Sequence, residues 1–261
     1  MGGLKGRALR IRAIAGNAWL QALRQRSVLV LVPYAIALVA GAVVLRQISV
    51  GQEIKILKDM ALAAMDLFGS FAAIVMGVDL VTREIERRSA YPILARPVSR
   101  AEFVVGKFLG LVAALAMNQF LMVAIAWLVL VAMGDSPQPA LLAAPWGILL
   151  GLVLTVAIAL FFSVITNSVL ASAFSIILVL GGRFSDVIRN MAQVMPDLPK
   201  ELPRLLYIAL PNFQNFDFRL RAVYGDPISA DTLILATLYC AIYSALLLVL
   251  ASMAFERKEL V

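Results

Sequence analysis

The chain has 261 residues, of which 62% are apolar and 15% charged, with a mean hydropathy of +0.92; soluble domains carry about 25% charged residues. A water-soluble fold of this size has nowhere to bury that much apolar surface, so a polytopic, all-α membrane protein is predicted. One cysteine, Cys240, and no histidine exclude a disulfide framework, a Cys/His zinc site and any Ser-His or Cys-His nucleophile pair within this chain.

In chain order, residues 1–27 read as an interfacial helix. Leu9, Ala13, Trp19, Leu20 and Leu23 share one face, while Arg10, Arg12, Arg24 and Arg26 reach phosphates or water. A basic tail that only sets topology is the alternative; no small-residue cleavage site marks it as a secretory leader. Apolar runs at about 28–45, 61–81, 108–133, 141–165, 168–182 and 233–255 then predict six transmembrane helices, each judged against the roughly 20 residues a span requires. From Leu141 to Gly182 there is no charged side chain, and at about 1.5 Å per residue that stretch is nearly twice the hydrocarbon thickness. It must fold as a hairpin, with Thr166, Asn167 and Ser168 as the turn.

Basic residues set the orientation. Lys5, Arg7, Arg10, Arg12, Arg24, Arg26, then Arg83, Arg87, Arg88, Arg96, Arg100, Lys107, and finally Arg257 and Lys258 fall on one side. The other side has fewer, and those in its last loop are offset by Asp186, Asp197, Glu201, Asp217, Asp226 and Asp231. The positive-inside rule puts both termini and residues 82–107 in the cytoplasm of a cell inner membrane. The net charge of +7 is therefore a topology signal, and a nucleic-acid partner is not expected.

Residues 82–107 carry the most information. Helix continues out of the second span from Glu84 to Ala90, with Glu84 and Arg88 an i,i+4 pair. Pro92 and Pro97 then break the chain. Between them Tyr91, Ile93 and Leu94 put apolar side chains on a short cytoplasmic segment, where they need a partner surface. The pattern is an acid after span two (Glu84), a short hydrophobic stretch (Tyr91 to Leu94), then Arg96-Pro97-Val98-Ser99-Arg100, and Gly106-Lys107 opening span three. It resembles the loop between spans two and three of type-2 ABC exporter permeases. The likeness extends to the six-span layout, the basic N-terminal helix, Leu210-Pro211-Asn212 and the tail from Phe255 to Leu260. Within that family the chain resembles the subgroup that includes the permease of the nitrous-oxide-reductase copper-maturation transporter. Ser89-Ala90 departs from the Gly-Thr often found at that turn.

The resemblance implies a half-transporter that pairs with a second permease copy or homologue and docks on cytoplasmic ABC ATPase subunits through Glu84, Arg88, Tyr91, Ile93, Leu94, Arg96, Pro97 and Arg100. It places ATP and Mg on the partner ATPase. No G-x-x-x-x-G-K-[ST] occurs in this chain, so no P-loop cradles phosphates here, and no cofactor, metal or catalytic residue is expected. A solvated loop that only sets topology is the competing reading of 82–107.

Asp66 and Asp79 are the ionisable side chains well inside a predicted span, where a charge costs on the order of 2.5–3.5 kcal/mol. Their spacing puts them on nearly opposite helix faces. Asp79 reads as an interfacial acid paired with Arg83, and Asp66 as a candidate pathway residue. Asn118 and Gln119 are expected to hydrogen-bond between helices, and the pairs Gly106/Gly110 and Gly147/Gly151 to permit close helix approach. The 10 methionines are scattered, as packing residues are. For residues 183–231 the resemblance implies short re-entrant or interfacial helices, while Phe213, Phe216, Phe218 and Tyr224 fit an outer aromatic belt; a substrate or partner lid is the alternative. Two other functions compete. A membrane enzyme lacks a close acid cluster or nucleophile motif, and a proton-coupled carrier lacks an internal repeat between the halves.

Overall fold

The structure, a computed structural model, describes residues 4–24, 30–48, 51–86, 99–135, 139–194, 207 and 210–257. Regular structure among them is helical throughout. The α-helices are α1 (Leu4–Arg24), α2 (Leu31–Ile48), α3 (Glu53–Glu86), α4 (Arg100–Ala132), α5 (Ala143–Ile165), α6 (Ser168–Arg183), α7 (Ser185–Val194), α8 (Arg219–Tyr224) and α9 (Ala230–Arg257). Single 3₁₀ turns form at Pro139–Leu142 and Phe213–Phe216.

Among the described residues four segments are long and apolar enough to cross a bilayer: Glu53–Leu80, Arg100–Ala132, Ala143–Ile165 and Ala230–Glu256. Two shorter apolar helices, Leu31–Leu45 and Ser168–Arg183, accompany them. The chain is thus a polytopic helical membrane protein with a helix at every predicted span. Helix α3 outruns its apolar run at both ends, and α4 does so at its N-terminal end. With 34 and 33 residues they are about 50 Å long against a hydrocarbon layer near 30 Å. The apolar run marks only the part that needs lipid; charged turns such as Glu53 to Lys58 and Arg100 to Lys107 continue the same helices.

Helix α5 is the central element, packed against α3, α4, α6 and α9. Its middle is apolar all round because it is covered all round: Leu154, Val156, Ala157, Ile158, Ala159 and Leu160 are fully buried. The predicted hairpin turn is present. Thr166 N–H donates to Phe162 O at 2.9 Å as α5 ends, and the Asn167 side chain accepts from Leu170 N–H at 3.0 Å to cap α6.

Helix α1 lies along α4. Arg10 meets Glu102, Ile14 meets Gly106 and Ala18 meets Gly110, a constant offset of 92 positions. The two helices therefore run parallel over about 12 Å of axis. A Cβ on Gly106 would stand 2.7 Å from Ile14 Cγ2, and one on Gly110 would overlap the Ala15 carbonyl. This glycine pair serves helix approach within one chain. Leu9, Trp19 and Leu20 remain exposed on the far side of α1, the face that the sequence assigns to lipid.

Candidate functional site

One end of the bundle gathers around the first turn of α4, where residues 82–107 rejoin the described structure. Ser99 and Glu102 form a capping box: Ser99 Oγ accepts from Glu102 N–H at 3.2 Å, and Glu102 Oε2 accepts from Ser99 N–H at 3.2 Å. Glu102, 6% exposed, also accepts two hydrogen bonds from Arg10, at 3.0 and 2.8 Å, with Arg7 Nε 3.9 Å away. The fork of Arg10 engages both carboxylate oxygens, which fixes direction as well as distance. Beside it, Arg100 donates to the carbonyls of Phe255 and Glu256 near the end of α9. Its guanidinium lies 5.4 Å from the centroid of the buried Phe255 ring, and Phe103 stacks on that ring at 5.9 Å. The α4 N-terminus thus fastens α1 on one side and α9 on the other.

Arg100, which the resemblance puts among the residues docking on the ATPase, is turned inward onto α9 carbonyls. Helix α3 continues to Glu86, as predicted for the start of the loop. Tyr91, Ile93, Leu94, Arg96 and Pro97 lie outside the described residues, as do Arg88 and the side chain of Glu84. The side chain of Arg83, expected to pair with Asp79, also lies outside them.

The opposite end holds a cavity of about 430 Å³ between α3, α5, α6 and residues 213–219. Asp66, on α3, is paired with Arg183 at the last turn of α6. Arg183 Nη2 donates to Asp66 Oδ1 at 2.7 Å and to Ser70 Oγ at 2.8 Å, while Nη1 contacts Asp66 Oδ2. A second pair lines the same cavity: Arg219 donates to both oxygens of Asp217, at 2.9 and 2.8 Å. These bonds hold the Asp217 carboxyl below its ordinary range, against the opposing effect of burial. A third pair, Lys58 Nζ to Asp135 Oδ2 at 2.8 Å, joins the start of α3 to the turn after α4.

Asn212 organises the segment that closes this cavity. Its side-chain oxygen accepts from Gln214 N–H and Ser185 Oγ, each at 2.9 Å, and its N–H donates to Tyr239 Oη at 2.9 Å. The aromatic belt expected for Phe213, Phe216 and Phe218 is corrected here. All three are buried, at 6%, 4% and 4% exposure, while Tyr224 is exposed. Phe216 and Phe218 fill the space over Gly147, where a Cβ would overlap the Phe216 carbonyl. Both small-residue pairs are therefore used within the chain. Gln119 reaches from α4 to α3, its Nε2 standing 3.7 Å from Met65 Sδ, which is the interhelical role expected of it.

Sequence reasoning missed Glu102, Arg183 and Arg219. The Ser99-x-x-Glu102 spacing is a capping-box signature and marks the first; no local signal joins Arg183 to an acid 117 positions away.

Among the described residues no group of three or more His, Cys, Asp or Glu is arranged to hold a metal ion. A search of curated proteins finds no match. Residues 12–260 match the family described as ABC-2 family transporter protein, which spans α1 to α9 and implies an ABC ATPase as partner. The chain belongs to the ABC-2 transporter family and is a membrane permease subunit of an ABC transporter, not itself an enzyme.

Proposed function

We propose that this permease is one half of an ATP-driven exporter, pairing with a second copy or homologue and driven by two cytoplasmic ATPase subunits. Six spans cross the cell inner membrane with both termini in the cytoplasm, and α1 rests against lipid. ATP and Mg belong to the partner. Within the family, the chain resembles the subgroup that includes the permease of the nitrous-oxide-reductase copper-maturation transporter.

The observation that carries this reading is the junction at the α4 N-terminus, where Arg10 and Arg100 fasten α1 and α9 to the turn that ends residues 82–107. Tyr91, Ile93 and Leu94 serve as apolar anchors in an ATPase groove, Glu84 and Arg88 steady the helix before them, and Arg96 and Pro97 shape the return to α4. A displacement of that loop reaches three helices at once through the junction. The chain does no bond chemistry; its part is to convert a movement of the ATPase into a rearrangement of its helices. Co-expression with an ABC ATPase of the same organism tests the reading: a complex of two permeases and two ATPases is expected by native mass spectrometry, and a lone permease in mild detergent contradicts it.

A further inference from the structure

The cavity at the outer end of the bundle has the makings of a ligand site in its own right. Its volume, about 430 Å³, lies within the usual range for small-molecule sites. Phe184, Phe213, Phe216 and Ile148 give it apolar walls, and Asp66, Arg183, Asp217 and Arg219 supply its charge. Along α3, Asp66 stands eight residues beyond Lys58, about 12 Å further from the start of that helix. The cavity therefore reaches below the Lys58–Asp135 bridge.

The four charges sum to zero and act on one another across the cavity. Asp66 favours the charged form of Arg219, and Arg183 favours that of Asp217, in addition to their own partners. A ligand with one sign of charge must draw one member from its pair and leave the other poorly compensated in a half-buried site. A ligand with both signs offers its oxyanion to one arginine and its ammonium to one aspartate, so the pair it opens keeps a counter-charge on each member. The apolar walls then take a short aliphatic portion.

The geometry points to a binding site for a zwitterionic amphiphile, an ammonium and an oxyanion on one small headgroup with an attached apolar chain, held between the Asp66–Arg183 and Asp217–Arg219 pairs. This goes beyond the transport reading, and binding is measured on the permease without ATPase, so failure of coupling and failure of this site are separate results.

The test is calorimetric titration of the full chain in an uncharged maltoside detergent with three probes: dihexanoylphosphatidylethanolamine, dihexanoylphosphatidylglycerol and glycerophosphoethanolamine. Saturable binding of the first is expected, at least about tenfold tighter than the second. Binding of glycerophosphoethanolamine as well identifies a soluble headgroup as sufficient, and its absence a lipid as the source; both support the site. The double variants Asp66→Asn/Arg183→Gln and Asp217→Asn/Arg219→Gln should each weaken binding about tenfold or more. If the deeper double variant does not fold by size exclusion, the partly exposed Asp217/Arg219 pair carries the test. Equal affinity for the zwitterionic and anionic lipids, or unchanged binding in a folded double variant, overturns the assignment.

Discussion

Arg10 and Glu102, 92 positions apart in sequence, are joined by two hydrogen bonds that pin α1 to the first turn of α4. The carboxylate is shared between this ion pair and the capping box with Ser99, so the same side chain starts one helix and docks another. Arg10→Ala and Glu102→Ala should each lower thermal stability, and the double variant should lose less than the sum of the two. Fully additive losses in a double-mutant cycle would show the contact to be incidental.

The glycine pairs give a second expectation. Gly110→Val places a branched side chain against the α1 backbone, and Gly147→Val does the same to the Phe213–Phe216 turn. Each should cost about 1–3 kcal/mol by overpacking, read as a fall in unfolding temperature, with the oligomeric state unchanged by native mass spectrometry. Loss of dimer with an unchanged unfolding temperature would instead make the glycines an intermolecular contact.

Asp66→Asn leaves Arg183 half-buried beside a neutral amide, for about 1–3 kcal/mol of destabilisation, and Arg183→Gln in the same protein should return part of it. Transport should fall less in Asp66→Asn than on disruption of residues 82–107. Abolished transport with normal folding and ATPase activity in Asp66→Asn alone would make this carboxylate part of the path itself.

Asp217 sets a pH dependence. The hydrogen bonds from Arg219 lower its pKa in the folded chain, so its contribution to stability is complete above the ordinary carboxylate range and is lost as pH falls through the depressed value. The stability advantage of the native chain over Asp217→Asn should therefore be flat from about pH 6 to pH 8 and shrink below about pH 4. An advantage that grows on acidification would contradict the assigned direction.

The sequence made the helices legible wherever lipid or a neighbouring helix demands an unbroken apolar run, as in α5, and the Thr166-Asn167-Ser168 turn followed from a run too long for one crossing. Helix ends were less legible, because charged turns extend α3 and α4 beyond the part that hydropathy detects. Asp66 stood out as a charge in an apolar run, but its partner Arg183 lies on another helix, and only tertiary packing brings the two together. The buried phenylalanines at 213, 216 and 218 look like belt residues in sequence because aromatic composition is the same in both settings; the glycine surface beneath them decides. Arg100 read as an outward charge for the same reason, since backbone carbonyls of α9 carry no sequence signal.

The central claim, that residues 82–107 couple this permease to an ATPase, is tested most directly by co-purifying the ATPase with Tyr91→Ala/Leu94→Ala. Apolar anchors at the centre of an interface cost about 2 kcal/mol or more each when truncated, so the double variant should insert normally and lose the ATPase or its coupled activity. Arg96→Ala, a charge at the rim, should retain most of it. Full ATPase retention and full transport in the Tyr91/Leu94 double variant would contradict the account and leave 82–107 a solvated connection.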